Sequence, residues 1–248
     1  MAEPIRISIG NEPKCWLCSE VLKSSIVRRT DRLVTFSESW TLDKGWHRLV
    51  EERPRLKSGT KFSAWRWLVP EAYQCEGKAI YLDSDIVVLA DIAELWDGLE
   101  PDVMFSCVTD VSGEDLWGFP TTIEQTGKVY KNKPQTSVMA MNLDRCVWKC
   151  EDEFRRRKYA TLMQARWIHP SQIQSLDPQW NRFGLCDSGT KLLHWSHVAS
   201  QPQRRPDHPT ADVFDAELTE AVREGHVRPE DIRREIKLGH VHKIWKRG

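Results

Sequence analysis

Residues 78–85 read Lys-Ala-Ile-Tyr-Leu-Asp-Ser-Asp, and a second apolar run, Ile86 to Ala90, follows at once. The run Ala79 to Leu82 is too short for a helix and fits a buried strand. Asp83 and Asp85 then emerge where that strand leaves the core, and in extended backbone residues two apart point the same way. Two like charges held that close attract a divalent cation between them. The same pair also fits a plainer arrangement, with one Asp capping a turn and the other solvated.

The rest of the chain alternates strands with helices around this point. Ile5, Ile7 and Ile9 alternate with polar residues and end at Gly10-Asn11, a first strand and a tight turn. Residues 14–29 suit a helix and Leu33 to Phe36 a second strand. Thr60 is placed to cap a helix carrying Phe62, Trp65, Val69 and Ala72 at helical spacing, which Pro70 must kink or end. Asp91 with Glu94 resembles a capping box for a helix over Ile92 to Leu99. Val103 to Val108 and Ser137 to Leu143 read as strands, and Asp144 to Ala165 as a helical, basic stretch. Val111 to Pro134 is long for a plain connection and reads as a lid or a hairpin excursion. Leu176 to Asn181 is rich in turn formers, and further helices fit Asp212 to Glu224 and Pro229 to Leu238. Strands interleaved with helices predict a single α/β domain with a mostly parallel sheet.

At 248 residues the chain has the length for one such domain with a large core. Its 36 Lys and Arg balance 36 Asp and Glu, so no global basic field points to nucleic acid. The N-terminal residues lack a basic segment followed by an apolar one, and no apolar run reaches the roughly 20 residues of a spanning helix. Seven cysteines without regular spacing fit reduced thiols, and a cytoplasmic protein is expected. Cys15 and Cys18 with Cys146 and Cys150 have zinc-like spacing, but the first pair is embedded in what reads as the start of an amphipathic helix. Twelve Trp suggest aromatic platforms or core packing.

Phe62 to Asp85, with Arg66 and Pro70 in its helix, followed by Asp91-Ile-Ala-Glu-Leu-Trp96, resembles the retaining glycosyltransferases of family 8. Weaker matches follow in order at Phe105 to Asp110, Gln135 to Asn142, Asp177 to Asn181 and Leu192 to Ser196. The resemblance implies a GT-A-like (Rossmann-like) domain over residues 1–203, with residues 204–248 as a charged helical extension. It implies Asp83, Asp85 and His194 as ligands of Mn²⁺ or Mg²⁺, with Arg66, Ser84, Gly10 and Asn11 around the donor nucleotide. Asp110 and Gln135 would touch the transferred sugar. The partners implied are a nucleotide diphosphate sugar, most simply a UDP-sugar, and a carbohydrate or glycolipid acceptor. Two carboxylates and an imidazole suit Mn²⁺ and leave positions open for phosphate oxygens.

The chain departs from the family where a Gly and a Lys-Pro-Trp normally follow the metal-binding His. Here stand His197 and Gln201-Pro202-Gln203. Lys243 or Lys246 in the tail is a candidate substitute for the lysine, and His240 or His242 a candidate third ligand. Gln135 stands where Asn is usual, and Ser171-Gln172 is the nearest counterpart of an expected Asp-Gln pair. Two other readings compete. Asp83-Ser-Asp85-Ile-Val87 also fits the nucleophile motif of haloacid dehalogenase-like phosphatases, and a related fold that binds nucleotide or carbohydrate without turnover fits as well. The tail's cations beside Ile232, Ile236, Val241, Ile244 and Trp245 either lie on anionic lipid or dock on the protein itself.

Overall fold

The computed structural model of the chain describes residues 3–39, 61–109, 134–149, 152–153, 156–196 and 201–246. Asp110, His197, Trp117, Cys150 and nearly all of the proposed lid lie outside them. Nine strands are described: β1 (Ile5–Gly10), β2 (Val34–Glu38), β3 (Lys78–Asp83), β4 (Ile86–Val88), β5 (Phe105–Val108), β6 (Gln135–Asn142), β7 (Ile173–Ser175), β8 (Arg182–Phe183) and β9 (Leu192–His194). The helices include α1 (Trp16–Val27), α2 (Val69–Ala72), α3 (Ala93–Asp97), α4 (Tyr159–Met163), α5 (Ala211–Arg223) and α6 (Pro229–Lys237).

Six strands form the main sheet in the order β2-β1-β3-β6-β5-β7, and β4-β9-β8 form a smaller one. In the main sheet β1 pairs parallel with β2 and β3, and β5 with β7, while β6 runs antiparallel between β3 and β5. The mixed, mostly parallel α/β sheet expected from the sequence is therefore present. Its central strands are buried on both faces, and their alternation sorts side chains between two cores. Ala79 and Tyr81 of β3, with Met139 and Met141 of β6, join one cluster around Trp67 and Phe105. Ile80 and Leu82, with Val138 and Ala140, join the other, around Ile5, Ile7, Ile9 and Trp96. Four of the twelve tryptophans belong to the first cluster, where Trp67, Trp148 and Trp167 meet edge to face at 5.1–5.7 Å between ring centroids.

Two expected helices take other forms. The segment before Asp83 is a 3₁₀ turn, Lys61–Trp67, followed by the short α2. Pro70 sits in the first turn of α2, where its missing N–H has no carbonyl to serve, so the proline separates two short helices instead of kinking one. Within 144–165 the described residues hold a 3₁₀ turn at Leu143–Arg145, helical residues at 152, 153 and 156, and α4, with non-helical backbone at 146–149 and 157–158, so the stretch is not one continuous helix. At α3 the Asp91 carboxylate accepts from the Ala93 N–H at 2.9 Å, but Glu94 turns away to Lys191, so only half of the capping box forms.

Helices α5 and α6 and the C-terminal residues dock on the protein. Phe214, Leu218, Ile232, Val241 and Trp245 share a third core with Leu17 and Val21 of α1, Val87 of β4, and Leu193 and Trp195. Buried Glu217 of α5 pairs with Arg28 and Arg29 just past the end of α1. Most of the tail's apolar face is thus spent inside the molecule, in line with the docked alternative, and nothing among the described residues supports its reading as a lipid-facing helix. Ile244 alone of the five tail residues named above is exposed.

Candidate active site

The main sheet delivers Asp83 at the end of β3, where it is paired in register with Gly10 of β1. Tyr81, two residues earlier on the same strand face, donates its hydroxyl to Asp83 Oδ1. Arg66, buried at 5% exposure, donates from one nitrogen to both carboxylate oxygens at 2.9 and 3.0 Å. Its other terminal nitrogen donates to Thr136 Oγ1 at 2.7 Å, and that hydroxyl passes its own proton to Met163 O. The guanidinium also lies over the Tyr81 ring at 5.1 Å. Arg66 is therefore not a surface cation stacked on Trp65 or Trp67; it is the buried counter-charge of Asp83. Burial pushes the Asp83 carboxyl up, the Arg66 charge opposes that, and neighbouring Asp85 adds to it.

The small sheet delivers the other two groups. Asp85 lies between β3 and β4, and its carbonyl accepts from the N–H of Trp195, just past β9. Within that sheet Ile86 faces His194 in register, so the pairing of β4 with β9 brings the imidazole beside the carboxylate. His194 Nε2 stands 3.3 Å from Asp85 Oδ1, and both residues are buried. On the far side of the ring, Nδ1 lies 2.9 Å from Asn181 Oδ1, while the amide nitrogen of Asn181 donates to Ser137 Oγ at 3.0 Å. With its nitrogen so committed, Asn181 presents an acceptor to the ring, which places the imidazole proton on Nδ1 and leaves the Nε2 lone pair toward Asp85.

Among the described residues, Asp83, Asp85 and His194 form a group of potential ligands whose atoms lie within 4.8 Å of one another. Asp85 Oδ1 is buried and receives no hydrogen bond, an arrangement costly for a carboxylate oxygen unless something positive meets it. Two carboxylates and an imidazole with its lone pair free fit a divalent ion such as Mn²⁺ or Mg²⁺. The tail histidines are engaged elsewhere: His240 Nδ1 meets Glu235, and His242 Nδ1 accepts from the N–H of Ile244. Cys15 and Cys18 are buried at the start of α1, as the helical reading required, and burial holds the Cys15 thiol up at about 12, with the Asp85 charge adding to it. Among the described residues, the group of side chains close enough to share a metal ion contains no cysteine.

Gly10 lies against this site. A Cβ there would come within 2.1 Å of the Tyr81 hydroxyl, so only glycine lets Tyr81 reach Asp83. The Gly10 carbonyl accepts from the N–H of buried Ser84 at 3.0 Å. Asn11, next along, is buried with its amide nitrogen on Ser19 and Glu38, so its side chain shapes the turn after β1 from within. Gln135 is buried at the start of β6, opposite Val108. Trp180 is a core residue, with the Lys191 ammonium 5.3 Å from its ring.

Tyr81, Thr136, Ser137, Asn181 and Gln201 are site residues that sequence reading did not assign. Asn181 carried a signal, a polar residue in a turn beside a buried Trp. Gln201 was marked only as part of the stretch standing where Lys-Pro-Trp is usual, and its partner, remote in the chain, was not. Gln201 donates its amide to Asp85 Oδ2 at 2.7 Å, occupying the stretch where a lysine was expected.

The chain is 27% identical over 185 residues to Protein CDI of Arabidopsis thaliana, covering 72% of this chain and 69% of that one. It is 29% identical to Probable galacturonosyltransferase-like 9 of the same plant, over 49% of this chain and 39% of the relative. Among solved structures, the WbbM bifunctional glycosyltransferase superposes with a TM-score of 0.63 at 15% identity, over 88% of this chain and 50% of that one. The galactosyltransferase LgtC, solved with donor and acceptor sugar analogs, gives 0.61 at 13% identity, over 93% of this chain and the whole of LgtC. These likenesses establish the GT-A glycosyltransferase fold. The profile of Glycosyl transferase family 8 matches residues 24–199, the span that contains Arg66, both aspartates, Asn181 and His194, and the chain belongs to that family.

Proposed function

We propose that the protein transfers a hexose from a nucleotide diphosphate sugar, in our reading a UDP-sugar, to a hydroxyl of a carbohydrate or glycolipid acceptor, with retention at the anomeric carbon. The observation that carries this reading is the trio of Asp83, Asp85 and His194 converging where the two sheets meet. Asp85 Oδ1 and His194 Nε2 are the groups in position to hold Mn²⁺ or Mg²⁺, with Asp83 completing the set. Such an ion supplies positive charge to a leaving diphosphate, which is otherwise a poor leaving group. Arg66 places a second fixed positive charge beside that position, and burial strengthens its field. Gly10 keeps backbone at the site edge free of side-chain bulk, and Gln135 and Asp110 are assigned to the transferred sugar. With no carboxylate assigned as a covalent nucleophile, the departing phosphate oxygen is the base that takes the acceptor proton. We place the protein in the cytoplasm, in keeping with the unpaired state of the six described cysteines.

Family membership sets the phosphatase reading aside. The test is a panel of nucleotide sugars with Mn²⁺, with and without chelator. UDP release that requires metal, and that Asp83→Asn and Asp85→Asn both abolish, is the expected result. Turnover of phosphate monoesters, or nucleotide binding with no turnover of any donor, would overturn it.

A further inference from the structure

Gln201 and the C-terminal residues beyond it build a support for Asp85. Asp85 can only accept, so the Gln201 group at 2.7 Å from Oδ2 is the amide nitrogen. Its amide oxygen in turn accepts from Gln203 Nε2 at 2.9 Å. All three side chains are buried. The loop is then fastened from the far end of the chain: the N–H of His242 donates to Gln203 O at 2.7 Å, and Trp245 Nε1 donates to Pro202 O at 3.1 Å. Trp245 packs against Phe214 of α5 at 5.6 Å between ring centroids, and Phe214 against Trp195, the neighbour of His194. A continuous set of contacts therefore runs from the last described residues to one oxygen of one candidate ligand.

We propose that Gln201 is a positioning residue for the metal site, and that the segment 201–246 acts as the brace that holds it there. This inference rests on the metal-binding reading above. By occupying Oδ2, the amide leaves Asp85 a single oxygen, Oδ1, the one that faces His194 Nε2 and has no donor of its own. A neutral amide performs this without adding a positive charge that would compete with the ion. Asn181 does the same for His194, so two uncharged amides from separate loops orient the two ligands.

The experiment titrates the full-length protein with Mn²⁺ alone, by calorimetry or by the EPR signal of free Mn²⁺, and measures Tm with and without saturating Mn²⁺. Gln201→Met keeps the side-chain volume and removes the donor. Its Mn²⁺ affinity should fall roughly 10–100-fold, the usual effect of losing an outer partner of a ligand, and Mn²⁺ should raise its Tm less than it raises that of wild type. Gln203→Leu, which leaves the Gln201 amide but unpins it, should lose affinity by a smaller factor, and serves if Gln201→Met does not fold. Wild-type affinity in both variants, with an unchanged Mn²⁺-induced rise in Tm, would show that Gln201 only packs and would overturn the proposal while leaving the metal site standing. Absence of Mn²⁺ binding by the wild type would overturn the metal-binding reading itself, and the role of Gln201 with it.

Discussion

The large and small sheets each bring an aspartate to the site, and they treat its charge in opposite ways. Asp83, at the end of β3, is met by a buried guanidinium and a phenol. Asp85, beside the small sheet, is met by a neutral amide at Oδ2 and an imidazole nitrogen 3.3 Å from Oδ1, which receives no hydrogen bond. The first carboxylate is compensated by the protein; the second keeps its charge for something that arrives from outside. A site built in this way has a rigid half and a receptive half.

That contrast is broken most directly by neutralising each aspartate in turn. Asp85→Asn and Asp83→Asn should each lower metal-dependent transfer by a factor on the order of 10³, because each removes a ligand of the ion whose positive charge meets the leaving diphosphate. Stability should then separate them. Asp83→Asn strands a buried Arg66 without its counter-charge, a loss of about 3 kcal/mol, which in a chain of this size is a fall in Tm of roughly 6–12 °C. Asp85→Asn strands no cation, so its Tm should stay within a couple of degrees of wild type. Equal Tm values for the two variants would mean that the protein compensates both carboxylates alike.

A smaller effect sharpens the receptive half. Asn181→Leu removes the acceptor that fixes the His194 ring and should weaken Mn²⁺ binding roughly tenfold or more, whereas Asn181→Asp, which still accepts from Nδ1, should retain most of it. Loss of binding in both variants would remove the orienting role.

The smallest effect belongs to the docked tail. The Arg228 hydrogen bond holds the Asp231 carboxyl below the usual range. A group depressed in the folded state stabilises above its unfolded value, near pH 4, and that contribution fades as pH falls through the lower folded value. Asp231→Asn should therefore cost at most about 1 kcal/mol at pH 7, and its Tm should converge on that of wild type below roughly pH 4. A difference that persists or widens in acid would exclude this ion pair as the cause.

Much of the rigid half was legible in the sequence, and little of what surrounds the receptive half. Ala79 to Leu82 announces a strand, and the two aspartates after it announce a charge problem, because alternation and run length are local properties. The helical spacing of Phe62, Trp65, Val69 and Ala72 pointed to one helix, but the backbone is a 3₁₀ turn and a short α-helix divided near Pro70, and Ala72 is exposed where the other three are buried. Spacing alone does not separate these forms over so few residues. Arg66 was visible as a cation, yet its engagement with Asp83 depends on where α2 delivers the chain to β3. His194 as ligand came only through resemblance, since one His between Leu193 and Trp195 resembles any core histidine. Gln201 was hidden because its partner lies 116 positions away, joined only by the folded topology.

One feature of β3 reaches beyond catalysis. Tyr81 and Asp83 share one side of the strand and Ile80 and Leu82 the other, and β1 and β6 grip both edges. A slip of one residue would move the carboxylate onto the apolar face of Ile80 and Leu82, away from the guanidinium that balances it, a heavy penalty for a buried charge. The strand thus proofreads its own alignment: a chain that settles into the sheet has, by that act, already set its acid beside Arg66.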